Sequence, residues 1–230
     1  MPSKFIPITR NAPMQTQLTS HTTDLQIREF GISDYQPIWD QMRNYTLTRT
    51  SDSFDQIWYL QHTPVYTLGL NGKQKHVLRT DNIPLIPVDR GGQVTYHGPG
   101  QLVAYLLIDM RRKKLGIKHI VNAMEQSVID YLHSLNISSE RLAGAPGIYV
   151  AGAKIAALGL RVKQGCTYHG LSLNVDMDLA PFKNINPCGY ENMPVTQIKD
   201  LVASSPDLNS VKTSLHHYLC QHLGYNCEIQ

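Results

Sequence analysis

The sequence lacks long hydrophobic runs and any large excess of one charge. Its longest uninterrupted apolar run covers only residues 102–108 of the 230-residue chain, whereas a membrane-spanning helix needs about 20 apolar residues. Lys and Arg together number 21 and Asp and Glu together number 18, which leaves a net charge of +3. So small a positive charge does not favour nucleic acid as a partner. We therefore expect a globular protein that binds neither nucleic acid nor a membrane.

Cysteine is scarce, and none of the four cysteines stands in a Cys-x-x-Cys pair. They are Cys166, Cys188, Cys220 and Cys227. This pattern does not resemble the disulfide framework of a small secreted domain, so reduced thiols and a cytoplasmic location are expected. Residues 1–24 lack the apolar segment of a secretory signal. We interpret them as a flexible N-terminal extension rather than as an organelle transit peptide.

Nucleotide-binding motifs are absent as well. The sequence contains neither the G-x-x-x-x-G-K-[ST] of phosphate-binding loops nor the G-x-G-x-x-G of dinucleotide-binding folds. Its Gly72-Lys73 pair is followed by glutamine instead of serine or threonine. The motifs therefore predict no nucleotide cofactor.

Helical and extended patterns alternate along the chain. Apolar residues recur every three or four positions from Ile120 to Leu135, which predicts an amphipathic helix, and further helices are predicted over residues 32–49 and 208–223. Runs rich in β-branched and aromatic residues predict strands over residues 57–60, 65–68, 83–88, 102–108, 147–150, 154–160 and 169–175. This interleaving indicates an α+β fold with a mixed or antiparallel sheet. No linker interrupts residues 25–230, so one domain is expected there.

A glycine-rich segment at residues 90–101 lies between two predicted strands. Its sequence is Arg-Gly-Gly-Gln-Val-Thr-Tyr-His-Gly-Pro-Gly-Gln. Glycine lets the backbone approach a ligand closely and adopt positive φ angles. A long hairpin turn is the alternative, but turns rarely carry so many polar side chains, so a binding loop is favoured.

Cys188 and Lys154 are candidate catalytic residues. Cys188 lies between a proline and a glycine, in a predicted turn where a thiol is accessible, although Cys166 also lies near a turn. A free thiol is mostly protonated at neutral pH, so a nucleophilic cysteine needs a neighbouring base or cation. Lys154, within an otherwise uncharged segment, is either an edge residue that reaches water or a partly desolvated amine. His97 and His169 are the other candidate bases.

Two further patterns are weaker. The basic run at residues 111–114 is typical of a solvated surface, although it could also dock an acidic partner. Histidines and cysteines near the C-terminus do not have the spacing of a structural zinc site, so no metal is predicted.

Five segments, in this order, resemble the lipoyl(octanoyl) transferase family. They are residues 90–101, 144–150, 154–159, 169–174 and 185–189. The resemblance implies the catalytic-domain fold of biotin and lipoate protein ligases, a mixed β-sheet flanked by helices. It also implies transfer of an octanoyl group from octanoyl-acyl carrier protein, through an acyl-cysteine thioester, to a specific lysine of a lipoyl domain. Such a reaction is expected to follow a ping-pong mechanism.

The resemblance also implies roles for individual residues. Cys188 matches the family's nucleophile and Lys154 its catalytic partner, while His97 is expected to orient the loop. The implied substrate-binding residues are Arg90, Gly91, Gly92, Gln93, Val94, Thr95, Tyr96, His97, Ala157, Leu158, Gly159, Gly170, Leu171 and Ser172. The family uses no metal, nucleotide or other cofactor. Its acceptors are the lipoyl domains of 2-oxoacid dehydrogenase complexes and the glycine cleavage H protein.

Three other functions stay open. An ATP-dependent lipoate or biotin ligase with this fold would make an acyl adenylate and would need no nucleophilic cysteine. An amidotransferase that moves octanoyl between lipoyl proteins would use a cysteine with a different donor. A lipoyl-domain binding protein without activity would explain the fold but not Cys188 together with Lys154.

Overall fold

The computed structural model describes residues 17–22, 25–187 and 193–226. The strands are β1 Gln17–Thr22, β2 Leu25–Ser33, β3 Asp55–His62, β4 Val65–Leu68, β5 Leu85–Pro87, β6 Val94–His97, β7 Gln101–Leu107, β8 Glu140–Leu142, β9 Ala145–Val150, β10 Ala153–Lys163 and β11 Cys166–Asn174. The α-helices are α1 Tyr35–Thr48, α2 Ile117–Ser134 and α3 Leu208–Leu223. Within these residues, every helix is too short or too polar to traverse a lipid bilayer.

Two sheets organise the fold. The larger has eight strands in the order β1-β2-β3-β7-β11-β10-β9-β8, and the smaller has three in the order β5-β4-β6. β2 runs parallel to β3 and β4 parallel to β5, whereas the other neighbouring strands are antiparallel. The predicted α+β fold with a mixed sheet and flanking helices is therefore confirmed.

The two faces of the large sheet bury different helices. Alternate residues of a strand point to opposite faces, and on one face Ile57 and Leu106 join α2 and α3 in the main hydrophobic core. On the other face Trp58 and Tyr105 pack against Ile38 and the rest of the buried side of α1. Each strand of the centre of the sheet is thus buried on both sides, which explains why residues 102–108 read as an unbroken apolar run.

α3 is capped at both ends by local interactions, whereas the N-terminus of α1 is not. The Asp207 side chain accepts hydrogen bonds from the backbone of Asn209 and Ser210, and Gly224 ends α3 in the left-handed conformation. The predicted bounds of this helix are confirmed. At α1, Asp34 occupies the N-cap without a capping hydrogen bond, because its carboxylate accepts from the Thr63 hydroxyl instead. α1 covers less than the predicted residues 32–49, because Ile32 and Ser33 belong to β2 and pair with β3.

The structure corrects the sequence-based picture in two places. The centre of the glycine-rich segment 90–101 is not a loop but strand β6, which pairs with β4. The flanking glycines hide the short Val-Thr-Tyr pattern that favours a strand. Residues 17–22, which the sequence places in the N-terminal extension, pair with β2 as β1.

The cysteines of the described residues differ in state. Cys166 is a free, buried thiol, whereas Cys220 is disulfide-bonded. The expectation of reduced thiols is therefore wrong for Cys220, because spacing along the sequence does not reveal which thiols come together in the fold.

Candidate active site

A cavity of about 330 Å³ is lined by residues of β6, β7, β10, β11 and α2. The residues implied by the resemblance that line it are Lys154, Arg90, Gly91, Gly92, Gln93, Val94, Thr95, His97, Ala157, Leu158, Gly159, Gly170, Leu171 and Ser172. Tyr96 is the exception, because its ring packs against Tyr66 and Phe182 in a separate apolar cluster. Segments far apart in the sequence thus line the same cavity.

The structure separates the two cysteines that the sequence leaves as candidate nucleophiles. Cys166 is 1% exposed and does not line the cavity. Burial raises the pKa of its thiol, which disfavours the reactive thiolate. Cys188 lies outside the described residues, but Pro187, which precedes it, lines the cavity. Cys188 therefore stays the candidate nucleophile.

Lys154 is held firmly at the cavity wall. Its backbone N–H donates to the carbonyl oxygen of Pro194 at 2.8 Å, and its carbonyl oxygen accepts from Thr196 N at 2.9 Å. Its Nζ donates to the carbonyl oxygen of Pro146 at 2.8 Å and lies 5.5 Å from the centre of the Tyr149 ring. With an exposure of 6%, Lys154 does not reach bulk water. The structure thus favours the desolvated amine over the edge residue.

A break in the pairing of β10 directs Lys154 into the cavity. The register with β9 shifts between Lys154 and Ala156, and both Ile155 and Ala156 belong to the main core. Because two successive side chains face the core, the alternation of the strand is interrupted. Four successive residues of β10, 154–157, therefore line the cavity together with Ser172, which pairs with Ala157 across β10 and β11.

Gly147 provides the space that the Lys154 side chain occupies. It has a φ of +139°, and a Cβ there would lie 2.6 Å from both Lys154 Cε and the carbonyl oxygen of Ala156. Any other residue would have to move the lysine or the strand. This glycine thus fixes the path of the Lys154 side chain.

The segment before β6 is fastened to both sheets through Arg90. The Arg90 guanidinium donates to the carbonyl oxygen of Thr67 at 2.8 Å, to its hydroxyl at 2.7 Å, and to the carbonyl oxygen of Gln93 at 2.9 Å. On the other side, Gly91 N donates to the carbonyl oxygen of Leu160 at 2.9 Å. The Arg90 guanidinium thus ties the loop, whose backbone forms part of the cavity wall, to β4.

His97 lines the cavity as a neutral, hydrogen-bonded ring. Its Nδ1 donates to Gln101 Oε1 at 2.7 Å, and the Gln101 amide donates to Asn174 Oδ1 at 2.9 Å. The Thr67 hydroxyl lies 3.5 Å from the other ring nitrogen. Burial, with a further contribution from His62, lowers the pKa of His97 well below its usual value. These contacts support the expected orienting role and leave His97 poorly suited as the base.

Two more buried histidines, His62 and His169, lie near His97. Burial lowers the pKa of His169, and its Nε2 donates to Asp89 Oδ1 at 3.0 Å. Burial also lowers the pKa of His62 to about 4, and its Nε2 accepts from the Tyr105 hydroxyl at 2.7 Å. Tyr35 of α1 contacts both, since its ring lies 4.9 Å from that of His62 and its hydroxyl 3.5 Å from His169 Nδ1.

Sequence reasoning missed most of this polar group. His62 reads as an ordinary residue, and nothing in the local pattern distinguishes Tyr35 or Tyr105 from core aromatics. Asp89 did leave a signal, because it directly precedes Arg90 and the glycine-rich segment.

The basic run at residues 111–114 is only partly a surface feature. Arg112 contacts Asp55 Oδ1 at 2.8 Å, and Asp55 is fully buried. Lys113 donates to the carbonyl oxygen of Gly224 and lies 4.0 Å from the centre of the Tyr225 ring. Lys113 thus holds the C-terminal segment and Arg112 the start of β3, whereas the Arg111 side chain is 70% exposed.

Comparisons with known sequences place the chain in a family. Residues 34–220 match the family model described as the lipoyl protein ligase A/B catalytic domain. An Octanoyltransferase of Nitrosococcus oceani is 52% identical over 202 residues, which cover 88% of this chain and 90% of the relative. An Octanoyltransferase of Aromatoleum aromaticum is 56% identical over 188 residues, which cover 82% of this chain and 81% of the relative.

Solved structures share the fold at much lower identity. A lipoate-protein ligase A bound with ATP superposes with a TM-score of 0.68 at 16% identity, over 90% of this chain and 87% of the other. A bipartite lipoate protein ligase from Thermoplasma acidophilum, described with its E2 lipoyl domain, gives a TM-score of 0.65 at 13% identity, over 86% and 85%. At these identities the likeness concerns the fold alone.

Proposed function

The chain belongs to the lipoyl protein ligase A/B catalytic-domain family, and from this membership and the cavity around Lys154 we propose that it transfers octanoyl groups to lipoyl domains. It is an acyltransferase, and its relatives named Octanoyltransferase carry this conclusion at 52% and 56% identity over more than four fifths of the chain. The identity of the donor, the nucleophile and the partners goes beyond the names of these relatives and is part of the proposal.

The proposed reaction consists of two acyl transfers with Cys188 as nucleophile. The Cys188 thiolate adds to the carbonyl carbon of octanoyl-acyl carrier protein, the bond from that carbon to the carrier sulfur breaks, and the carrier thiol leaves with a proton. The ε-amine of the acceptor lysine then adds to the acyl-Cys188 thioester, and the Cys188 sulfur leaves. Exchange between two thioesters is nearly balanced in energy, and formation of the more stable amide drives the second transfer.

Lys154 is the proton carrier of this scheme. As an ammonium it stabilises the Cys188 thiolate and protonates the departing carrier thiol, and as an amine it takes the proton of the acceptor lysine. Three observations support this role: Lys154 is buried, it lines the cavity, and Pro187 next to Cys188 lines the same cavity. His97 does not compete for the role, because burial lowers its pKa well below the usual value and makes the ring a weak base.

The cavity suits an alkyl chain. Its walls include Val103, Ile155, Leu158, Leu160 and Leu171. Burial of each methylene group contributes about 0.8 kcal/mol, so the chain itself supplies much of the binding energy. The glycine backbone at Gly91 and Gly92 lets the chain lie close to the loop.

The proposed partners are those that the resemblance to the lipoyl(octanoyl) transferases implies. Octanoyl-acyl carrier protein is the donor, and lipoyl domains of 2-oxoacid dehydrogenase complexes and the glycine cleavage H protein are the acceptors. We also propose that residues 25–230 act as one catalytic domain in the cytoplasm, without a cofactor.

Turnover without nucleotide tests the proposal most simply. The purified chain is mixed with apo lipoyl domain and octanoyl-acyl carrier protein without ATP, and the mass of the lipoyl domain is measured over time. We expect the gain of one octanoyl group on its lysine. Product from free octanoate only when ATP is added would instead indicate a ligase, and product only from an octanoylated lipoyl protein would indicate an amidotransferase. Tight binding of the lipoyl domain without any product would indicate a binding protein.

A further inference from the structure

Asp89 joins three parts of the fold at the side of the cavity. Its carboxylate accepts hydrogen bonds from Trp39 Nε1 of α1 at 2.9 Å, from His169 Nε2 of β11 at 3.0 Å, and from the Tyr168 hydroxyl. Although partial burial raises the pKa of Asp89, the bonds from His169 and Tyr168 outweigh it and hold this pKa well below its usual value. A carboxylate with three donors is fixed in position, and Asp89 is the residue directly before the binding loop.

His169 adopts an unusual backbone conformation in this group. Its φ is +61°, in the left-handed region that residues with a Cβ rarely adopt, although it lies within β11. The ring is 1% exposed, is tied to Asp89, and packs edge-on against Tyr105. The next residue, Gly170, has no room for a Cβ against the backbone of Ala104. Uncommon conformations that the surroundings enforce are frequent at functional sites.

The pair is placed where it controls the width of the cavity. One residue after Arg90, Gly91 N donates to the carbonyl oxygen of Leu160 in β10. A Cβ on Gly159 would lie 2.9 Å from the carbonyl oxygen of Gly91, so loop and strand are in close contact there. Asp89 anchors the same loop to β11 and α1. A shift at Asp89 would therefore change the space between the loop and the two strands opposite it.

We propose that Asp89 and His169 are a positioning pair that sets the width of the cavity for the acyl chain. This inference rests on the proposed function and deepens it. Neither residue takes part in the chemistry, because His169 Nε2 is occupied by Asp89 and its Nδ1 faces the Tyr35 hydroxyl. What the pair determines is how well a chain of a given length and cross-section is held.

Two substitutions at Asp89 separate position from charge. In Asp89→Asn the amide oxygen can accept from Trp39 and His169, both of which bond Oδ1, while the amide nitrogen donates to the Tyr168 hydroxyl oxygen. In Asp89→Ala all three bonds are lost. Tyr168→Phe is the milder variant, since it removes one donor and leaves the other two in place.

Initial-rate kinetics with octanoyl- and dodecanoyl-acyl carrier protein test the pair. For Asp89→Ala we expect a KM for the octanoyl donor roughly tenfold higher, a kcat within about threefold of wild type, and a weaker preference for octanoyl over dodecanoyl. Asp89→Asn is expected within about threefold of wild type in all three, and Tyr168→Phe between the two variants. A purely structural role would lower the melting temperature or the yield without changing KM or chain preference.

Three outcomes would overturn the proposal. One is an unchanged KM and chain preference in folded Asp89→Ala, or in Tyr168→Phe if the alanine variant does not fold. Another is Asp89→Asn as impaired as Asp89→Ala, which would make charge the relevant property. The third is equal affinity of wild type and variant for octanoate in calorimetric titration. The titration needs no turnover and therefore separates the two claims. Absence of octanoyl transfer by the wild type contradicts the proposed function, whereas the ratio of the octanoate affinities of variant and wild type tests the positioning pair.

Discussion

The two faces of the large sheet differ in what they bury. The face toward α2 and α3 carries the main hydrophobic core. The face toward α1 and the small sheet also buries His62, His97, His169, Gln101 and Asn174, each at most 6% exposed. Buried polar groups are costly unless they are hydrogen-bonded, and here each has a named partner. The buried polar side chains beside the cavity thus lie on the α1 face, whereas apolar walls of the cavity such as Ile155 and Leu171 belong to the main core.

Removal of the Lys154 amine should have the largest effect on the reaction. For Lys154→Ala we expect kcat to fall by about a thousandfold, because general acid–base groups contribute about 10²–10⁴ in rate. Lys154→Arg should not restore activity, because a guanidinium does not give up its proton. Steady-state kinetics with octanoyl-acyl carrier protein measure both.

Lys212→Ala is the matched control for Lys154. Lys212 pairs with Glu29 at 2.8 Å, away from the cavity. Its loss should leave kcat within about twofold, because Lys212 does not line the cavity. The fold should also stay intact, because a surface ion pair contributes only about 0–1 kcal/mol to stability. Full activity of Lys154→Ala would contradict the assignment of the proton carrier.

Displacement of Lys154 without its removal should have the next largest effect. In Gly147→Ala the new Cβ would lie 2.6 Å from Lys154 Cε, and a shift of about 1 Å in a catalytic group can cost about 10²-fold in rate. Gly152→Ala is the control, because Gly152 also has a positive φ but open space around it. Equal loss of activity in both variants would mean that backbone strain, and not the position of Lys154, is responsible.

Acid should destabilise the fold through its buried, neutral histidines. Burial lowers the pKa of His62 to about 4 and also lowers those of His97 and His169. As pH falls, these histidines bind protons in the unfolded chain at a higher pH than in the folded protein. Above about pH 6.5 they are neutral in both states and do not change the free energy of unfolding, whereas below about pH 6.5 they lower it increasingly. Since each unit of lowered pKa corresponds to about 1.4 kcal/mol, urea unfolding should show at least about 2 kcal/mol lost between pH 6.5 and 4.5. A constant free energy of unfolding over that interval would contradict neutral buried histidines.

A substitution in the main core should have the smallest effect on the reaction. Leu132 is fully buried on the α2 side and does not line the cavity. Leu132→Ala should lower the free energy of unfolding by about 2–5 kcal/mol but leave kcat/KM of the folded enzyme within about twofold. A large change in kcat/KM would mean that the two faces are coupled more tightly than their separate clusters indicate.

Local patterns predict those parts of the molecule that local interactions determine. The predicted bounds of α3 agree with the structure, in which Asp207 caps its start and Gly224 ends it. The glycine-rich segment and Lys154 are found because each departs from its immediate neighbours in the sequence. Strand β6 is missed because its flanking glycines outweigh its short β pattern.

Other parts of the site depend on contacts between distant residues. Asp89 meets His169 across 80 positions and Trp39 across 50, and Tyr105 meets His62 across 43. Sheet register determines these encounters, and no local spacing encodes it. The same reason explains why Cys166 and Cys188 look alike in sequence, although burial by β11 leaves only Cys188 as a candidate nucleophile.

A mass measurement on the intact enzyme tests the central claim, a covalent acyl-cysteine at this cavity, most directly. The wild type, Cys188→Ala and Cys166→Ala are each mixed with octanoyl-acyl carrier protein without ATP. We predict that the wild type and Cys166→Ala gain one hydroxylamine-labile octanoyl group, that Cys188→Ala gains none, and that apo lipoyl domain discharges the adduct. An adduct that persists in Cys188→Ala, or octanoyl transfer by that variant at the wild-type rate, would contradict the account.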